Sequence, residues 1–100
     1  MPAYLVVRIQ TEDPTRLKDY QAATPSVVKK FGGRFIARGG DVVTLEGPEE
    51  KRRIVIIEFP SLEHAQQFYN SPEYEAAKGL RLPYATSEFI VVDGVKQPIP

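Results

Sequence analysis

The stretch RRIVIIEFPSLEHAQQFYNSPEYEAAKGLR, residues 52–81, decides the fold of this chain. Its first part, residues 53–59, has apolar side chains on both faces of an extended chain, which is typical of a strand inside a sheet. Ser61 and Ser71 each precede a segment with helical apolar spacing, and a serine hydroxyl there accepts hydrogen bonds from the free amides of a first helical turn. The stretch therefore predicts an interior strand followed by two short helices in series, the second over residues 72–79.

Three further segments rich in apolar and β-branched residues predict strands, namely residues 4–9, 34–38 and 87–92. Asp13 and Pro14 begin a long helix, because an aspartate caps free amides and a proline needs no amide hydrogen at the first helical position. The apolar periodicity continues across Pro25, so we expect one kinked helix that ends at Gly32. The element order is βαββαβ, the ferredoxin-like α+β plan, with an antiparallel four-stranded sheet and its helices on one face.

Length and composition limit the class of protein. One hundred residues fit one domain, which we assign to residues 1–94, with residues 95–100 as a C-terminal tail. Basic and acidic residues number thirteen each, so the net charge is zero; this argues against nucleic acid and against an anionic membrane surface as partners. The chain has no cysteine and its amino terminus lacks the pattern of a signal peptide, so we expect a soluble, cytoplasmic protein.

Apolar side chains on both faces of the first, third and fourth predicted strands indicate a second layer against the sheet. The helices of a ferredoxin-like domain cover only one face, and the other face would otherwise expose a large apolar patch. A homodimer in which two sheets pack face to face buries that patch without any further segment or partner protein. The alternative is a monomer whose tail and long loops cover the same face.

Several sequence blocks together resemble the domain-of-unknown-function 1330 family over about residues 3–94: YLVVRI at 4–9, DPTRLKDY at 13–20, GGRFIARGG at 32–40 and EFPSLEHAQQFYNSPEY at 58–74. The resemblance implies a ferredoxin-like protomer in a dimeric α+β barrel, in which two sheets pack face to face. The family has no assigned reaction, so it implies no catalytic residue. The wider superfamily includes cofactor-free monooxygenases, small isomerases and haem enzymes, but this is an analogy of fold alone.

Charged residues on the second and third strands are the first candidates for a ligand site. Arg34 and Arg38 fall on one face of the second strand by simple alternation, and Glu58 interrupts the apolar third strand. A charge inside an apolar strand is costly unless it is paired. One interpretation is a carboxylate subsite, in which arginine binds an acidic substrate and Glu58 orients it or takes a proton. The other is an arginine–glutamate bridge between neighbouring strands or across the dimer.

Two tyrosines and one arginine near the serial helices form the second group of candidates. Tyr69 and Tyr74 would place hydroxyl groups on the wall of a cleft between helices and sheet, where they can bond a polar ligand. Ordinary amphipathic packing with a solvated hydroxyl is the alternative. Arg81 has three interpretations: it pairs with an acid, it closes the cleft, or it lies at the surface.

His64 is the sole histidine and lies in the first turn of the second helix. Its interpretations are a general acid or base, a haem ligand, or a half-exposed side chain without a role. A single histidine with no partner at ligand spacing predicts no metal site. The sequence also contains no nucleotide-binding, zinc-protease or hydrolase motif, and we expect neither a metal nor a cofactor.

Two functions stay open at this point. The first is a small homodimer that binds a small, partly apolar molecule, with or without a carboxylate, in a cleft between helices and sheet, with a cofactor-free enzyme as its catalytic form. Its ligand-binding candidates are Arg38, Glu58, Tyr69, Tyr74, Arg81 and His64. The second is a non-catalytic dimeric module, structural or stress-related, without a ligand. A pocket of a few hundred Å³ favours the first function, whereas a cleft filled by Phe31, Leu62 and Phe68 favours the second.

Overall fold

The computed structural model describes residues 1–95 and has the predicted α+β order. Its elements are β1 (Ala3–Thr11), α1 (Pro14–Lys30), β2 (Arg34–Arg38), β3 (Arg53–Phe59), α2 (Leu62–Asn70), α3 (Pro72–Gly79) and β4 (Ala85–Asp93). The predicted tail, apart from Val95, lies outside the described residues. None of the helices in this part of the chain is long and apolar enough to cross a membrane.

The sheet is antiparallel with the strand order β2-β3-β1-β4. β3 is an interior strand, as its two apolar faces predict, and it pairs with β1 and with β2. β1 pairs on its other side with the whole of β4, from Ala3 opposite Asp93 to Thr11 opposite Ala85. β2 and β4 are therefore the two edges of the sheet.

α1 begins and continues as the sequence predicts. The Asp13 carboxylate accepts a hydrogen bond from the Arg16 amide at 3.2 Å, which satisfies one of the free amides of the first turn. The helix runs on through Pro25 without a break in its assignment. At its end the Gly32 amide donates to the Lys29 carbonyl at 3.0 Å, and Gly32 adopts a φ of 79°, a backbone conformation that glycine tolerates best.

The core lies between the helices and one face of the sheet. Alternate residues of β1, from Ala3 to Ile9, are buried on that face. The ring centroid of Phe68 on α2 lies 5.1 Å from Phe59 on β3 and 4.8 Å from Tyr74 on α3. Burial of such a side chain contributes about 1.5–3 kcal/mol to stability. One aromatic cluster therefore fixes both short helices against the sheet.

No helix of the described residues covers the opposite side, which we call the helix-free face. Its apolar side chains are Tyr4, Val6, Ile54, Ile56, Ile90 and Val92. The register places Val6 between Ile56 and Ile90. Ile90 is 55% exposed and Val92 is 53% exposed. The apolar patch from which the sequence predicts a homodimer is thus present on the surface of the protomer.

Candidate functional site

A chain of four polar side chains joins the helices to the sheet, and we call it the Arg81 network. The hydroxyl groups of Tyr20 on α1 and Tyr74 on α3 are 2.8 Å apart. Arg81 donates to the Tyr74 oxygen from Nε at 3.3 Å and from Nη2 at 3.2 Å. Its Nη1 donates to Ser87 Oγ on β4 at 2.8 Å. Tyr74 is 0% exposed and Arg81 is 3% exposed, so the middle of the network is buried, while Tyr20 and Ser87 at its two ends are partly buried.

Ser71 determines where Tyr74 points. Its extended backbone, with φ −73° and ψ 152°, separates α2 from α3. The Ser71 hydroxyl donates to the Phe68 carbonyl at 2.8 Å and accepts from the Tyr74 amide at 3.0 Å, so one side chain satisfies the end of one helix and the start of the next. The serine–proline signal in the sequence therefore fixes the turn that buries the Tyr74 ring.

A tight turn after α3 directs Arg81 inward. The Arg81 amide donates to the Lys78 carbonyl at 3.0 Å, and the Arg81 carbonyl accepts from the amides of Tyr84 and Ala85, both at 2.9 Å. The chain reverses over these residues, and β4 begins at Ala85. The Arg81 side chain consequently lies beside Ser87 on the edge strand rather than in solvent.

Neutral groups surround the buried guanidinium. Burial alone lowers the pKa of Arg81, but the oxygens of Tyr74 and then Tyr20 raise it by more, so the pKa lies above its ordinary value. The Phe89 ring lies 4.8 Å from Arg81 Cζ and adds a cation–π contact. Burial also raises the pKa of Tyr74, which keeps its hydroxyl neutral. Within residues 1–95, no carboxylate forms an ion pair with Arg81.

A cleft of about 650 Å³ runs along the β4 edge between that strand, α2 and α3. Its polar lining consists of Gln66, Tyr69, Asn70, Lys78, Arg81, Thr86 and Ser87. Its apolar lining includes Leu5, Ala65, Leu82, Phe89, Ile90 and Val91. Polar and apolar residues line the cleft in equal number, and its volume is in the range of small-molecule sites. We call this space the β4 cleft.

A second space lies under α1 and is nearly filled, with a cavity of about 40 Å³. Tyr20, Phe35 and Arg38 are among the residues around it. A cavity of this size holds water molecules but not a metabolite. Since Tyr20 lines this cavity and Arg81 lines the β4 cleft, the Arg81 network separates the two spaces.

The β4 cleft brings together only part of the predicted ligand-binding set. Tyr69 and Arg81 line it. Tyr74 lies behind the Arg81 guanidinium and is joined to it by hydrogen bonds. The other candidates, Arg38, Glu58 and His64, are not among the residues of this cleft.

The prediction that Arg34 and Arg38 share one face of β2 is wrong. A β-bulge between Phe35 and Ala37 shifts the register, so Arg34 stands opposite Glu58 but Arg38 stands opposite Val55 on the helix side. A bulge inserts an extra residue and thereby reverses the alternation beyond it. Arg34 Nη2 lies 3.1 Å from a Glu58 carboxylate oxygen, which is the bridge between neighbouring strands.

Arg38 has local partners on the helix side of the sheet. Its Nη2 donates to the Gln21 carbonyl on α1 at 2.6 Å. Its Cζ lies 4.3 Å from the centroid of the Phe35 ring. These contacts hold the guanidinium over the nearly filled cavity, away from the β4 cleft.

His64 lies at the start of α2 and forms a local contact. Its Nδ1 is 2.6 Å from Ser61 Oγ, and its backbone amide donates to the same oxygen at 3.1 Å. The side chain therefore supports the helix cap. Among the described residues, no group of three or more histidine, cysteine, aspartate or glutamate side chains could hold a metal ion.

Two members of the Arg81 network are absent from the sequence-based candidates. Tyr20 lies among the apolar residues of α1, and a hydroxyl group in that position is the signal that could have found it. Ser87 is the first residue of the predicted fourth strand, where nothing distinguishes it from a surface serine. Both became recognisable only through their contacts with Tyr74 and Arg81.

The sheet order and the one-sided helices define an α+β protein of the ferredoxin-like class. The chain belongs to the family described as "Domain of unknown function (DUF1330)", whose model matches residues 2–95. The resemblance seen in the sequence is thus confirmed. A comparison with curated proteins found no significant match.

Solved structures of low sequence identity share this fold. The RPA0582 protein of unknown function from Rhodopseudomonas palustris is 19% identical, with a TM-score of 0.77 over 96% of this chain and 84% of that chain. SnoaB, a cofactor-independent oxygenase from Streptomyces nogalater, is 15% identical, with a TM-score of 0.68 over 99% and 97%. A dimeric ferredoxin-like protein of unknown function from Jannaschia sp. CCS1 is 12% identical, with a TM-score of 0.69 over 94% and 100%. At these identities the likeness concerns the fold.

Proposed function

We propose that this protein is a cytoplasmic homodimer that binds a small, partly apolar molecule with a carboxylate or another oxyanion in the β4 cleft. Arg81 is the group that binds the anion. The observation that carries this proposal is the state of Arg81: the residue is 3% exposed, lines the cleft and forms no ion pair within residues 1–95.

The hydrogen bonds of Arg81 leave donors for a ligand. A guanidinium has five N–H donors. Nε and Nη2 each donate to Tyr74, and Nη1 donates to Ser87. In the described part of the chain, Nη1 and Nη2 thus each keep one further N–H without a protein acceptor. Two N–H groups on neighbouring terminal nitrogens match the two oxygens of a carboxylate.

Desolvation supports the same assignment. Taking a cation out of water costs several kcal/mol unless charges and hydrogen bonds compensate. Among residues 1–95, the groups that compensate Arg81 are hydroxyl groups and aromatic rings. An anionic ligand would add the opposite charge that these neutral groups do not supply. Lys78, whose Nζ lies 5.0 Å from the Tyr69 ring centroid, adds a second positive charge at the same cleft.

A cofactor-free enzyme is the catalytic form of this proposal. In it, the guanidinium stabilises negative charge that develops on the bound molecule. The fold likeness to SnoaB, described as a cofactor-independent oxygenase, supports this form as an analogy of fold. The homodimer is supported by the exposed apolar helix-free face and by the dimeric protein of similar fold from Jannaschia. The cysteine-free sequence is compatible with a reducing compartment.

The test is a thermal-shift screen of aliphatic and aromatic monocarboxylates against their amides, followed by calorimetric titration of each hit. A ligand of the folded state at a hundred times its Kd stabilises by about 2.7 kcal/mol. We expect carboxylates and not the matched amides to bind, Arg81→Met to weaken binding by at least about tenfold, and Arg81→Lys to weaken it less.

The controls separate this site from the other candidates. Arg38→Ala leaves the affinity unchanged, because Arg38 lines the other cavity. Arg16→Met removes a comparable cation from the surface, where it pairs with Asp13, and is also expected to have no effect. Equal binding to wild type and to both Arg81 variants would contradict the proposal; circular dichroism verifies that each variant is folded.

A dimeric module without a ligand is the second candidate. The observation in its favour is the nearly filled space under α1, where only about 40 Å³ is empty. In this case Arg81 stabilises the protomer and nothing enters the β4 cleft. A dimer that binds no compound of the screen, and whose Arg81→Met variant only loses stability, is the expected result for this candidate.

A further inference from the structure

The connection between β2 and β3, residues 39–52, carries apolar side chains that contact little of their own protomer; we call it the arm. Val43 is 77% exposed, Leu45 is 92% exposed and Val42 is 42% exposed. Each fully exposed aliphatic side chain forgoes about 1.5–3 kcal/mol of burial. Val43 and Leu45, together with the partly exposed Val42, form an apolar tip within four positions.

The base of the arm is held firmly. Near one end, the Gly39 amide donates to the Ile54 carbonyl at 2.9 Å. Within the arm, the Glu50 amide donates to Thr44 Oγ1 at 2.8 Å. Arg52 Nε lies 2.8 Å from Glu50 Oε2, and Arg8 Nε lies 3.1 Å from Glu50 Oε1. The arm is therefore a braced projection whose apolar tip is presented in a defined position.

The ion pairs also show on which side of the sheet the arm begins. Arg8 is paired in register with Ile54 and Glu88 on the helix-free face. Arg52 binds Glu50 and also reaches Glu88 on β4. The base of the arm thus adjoins the same face that the proposed homodimer buries, and the arm is continuous with that interface.

The side of the protomer along β4 presents an unpaired strand edge and exposed apolar side chains against which the arm could pack. Within residues 1–95, β4 pairs only with β1 and leaves an edge of nine residues, and an exposed edge of this length invites pairing or needs a cover. Leu82 is 56% exposed and Ile90 is 55% exposed. Both line the β4 cleft, so its open side has an apolar border.

We propose that the arm of one protomer packs its Val43 and Leu45 side chains against Leu82 and Ile90 of a second copy, and that it closes the partner's β4 cleft. The inference rests on the proposed homodimer and on the proposed cleft. A second copy is the occupant because the base of the arm adjoins the face that the proposed homodimer buries. In a dimer with a two-fold axis, the arm of each protomer then covers the cleft of the other. Each ligand site is then built from two chains.

The chain has no cysteine, so single introduced cysteines give an unambiguous test. Leu45→Cys and Ile90→Cys proteins are purified separately, mixed to exchange subunits, and treated with a short bismaleimide. The two variants carry different tags, so a cross-linked product that contains both tags joins two copies of the chain. We expect it in high yield, and several-fold less from the matched mixture of Leu45→Cys with Gln67→Cys, since Gln67 is an exposed residue of α2.

The outcomes distinguish this inference from the proposed function. A chain that sediments as a dimer but gives equal yields for both mixtures contradicts the arm contact and leaves the homodimer intact. A chain that is monomeric at every concentration contradicts the homodimer itself. Two further variants of the Ile90→Cys protein are labelled with maleimide: one is truncated after Val95 and the other carries Leu45→Asp. If only the truncation makes the introduced thiol reactive, the arm contact is wrong.

Discussion

Arg81 Nε and Nη2 both donate to the Tyr74 hydroxyl oxygen, at 3.3 and 3.2 Å, and both side chains are buried. A fixed neutral acceptor holds one edge of the guanidinium, while Ser87 bonds one N–H of Nη1 at 2.8 Å. The Tyr74 contact orients the cation toward the β4 cleft without neutralising it. In the proposed function, Arg81 can therefore bind an anion, because Tyr74 holds the guanidinium in place without neutralising its charge.

Replacement of Tyr74 by phenylalanine should destabilise the protein. The change removes the acceptor of two Arg81 hydrogen bonds and leaves a buried charge with fewer partners, which costs about 1.5–3 kcal/mol. Urea unfolding measures the loss. Tyr84→Phe is the matched control, because the Tyr84 hydroxyl accepts from Arg16 at 2.8 Å on the surface, and its effect is expected within about 0.5 kcal/mol. Similar losses for both variants would show that the Arg81–Tyr74 bonds contribute little.

Glu50 should contribute stability that depends on pH. Hydrogen bonds from the Arg52 side chain and backbone lower the pKa of Glu50 from its ordinary 4.5 to about 2. A carboxyl group with a depressed pKa stabilises the fold above pH 4.5, and the contribution is lost as the pH falls toward about 2. The melting temperatures of wild type and Glu50→Gln are therefore expected to differ most above pH 4.5 and to converge near pH 2.

The control for this pH series is Glu12→Gln, which removes an exposed carboxylate that forms no ion pair within residues 1–95. The melting temperature of this variant should follow that of the wild type at every pH. A difference between wild type and Glu50→Gln that stays constant from pH 7 to pH 2 would refute the electrostatic role of Glu50.

Ile90→Glu should weaken the proposed homodimer. Ile90 is 55% exposed and stands opposite Val6 on the helix-free face, so a carboxylate there would be buried without a partner when two sheets meet. We expect sedimentation velocity over a concentration series to show at least about a tenfold weaker dimer. Gln67→Glu on the outer side of α2 should sediment as the wild type does. An unchanged dimer in the Ile90 variant would place the interface elsewhere.

Gly33→Ala should destabilise the protein through a steric clash. A Cβ at Gly33 would lie 2.7 Å from Phe59 Cε1 and 2.9 Å from Val28 Cγ1, both fully buried. Overpacking of this kind costs about 1–3 kcal/mol. Gly79→Ala is the control, because its Cβ would meet nothing within 4 Å, and a helical alanine is favoured over glycine by about 1 kcal/mol. The midpoint of chemical unfolding should therefore decrease for Gly33→Ala and increase for Gly79→Ala.

Much of the fold was predictable because its signals are local. Asp13, Ser61 and Ser71 are all helix caps whose side chains accept from the amide three residues ahead. β3 is interior, as its two apolar faces indicate. Each of these outcomes depends on the conformational preferences of a few neighbouring residues, and those preferences are written in the sequence.

The side-chain geometry on β2 was not predictable in the same way. Alternation assumes an unbroken register, but the bulge between Phe35 and Ala37 sends Arg38 to the helix side. A bulge depends on the pairing of two strands, here β2 and β3, which are separated by the arm. No pattern within β2 itself reports it.

For this protein, the sequence by itself determined the order of elements, the interior position of β3 and the apolar helix-free face, since propensity, capping and hydrophobic periodicity act over short distances. Only the tertiary structure decided that Arg81 is buried beside Tyr74, Tyr20 and Ser87 at the wall of a cleft. Tyr20 and Tyr74 are 54 residues apart, and the burial of a charge depends on groups that long-range packing brings around it. The candidate site is therefore a property of the packed domain, although every residue in it can be read from the sequence.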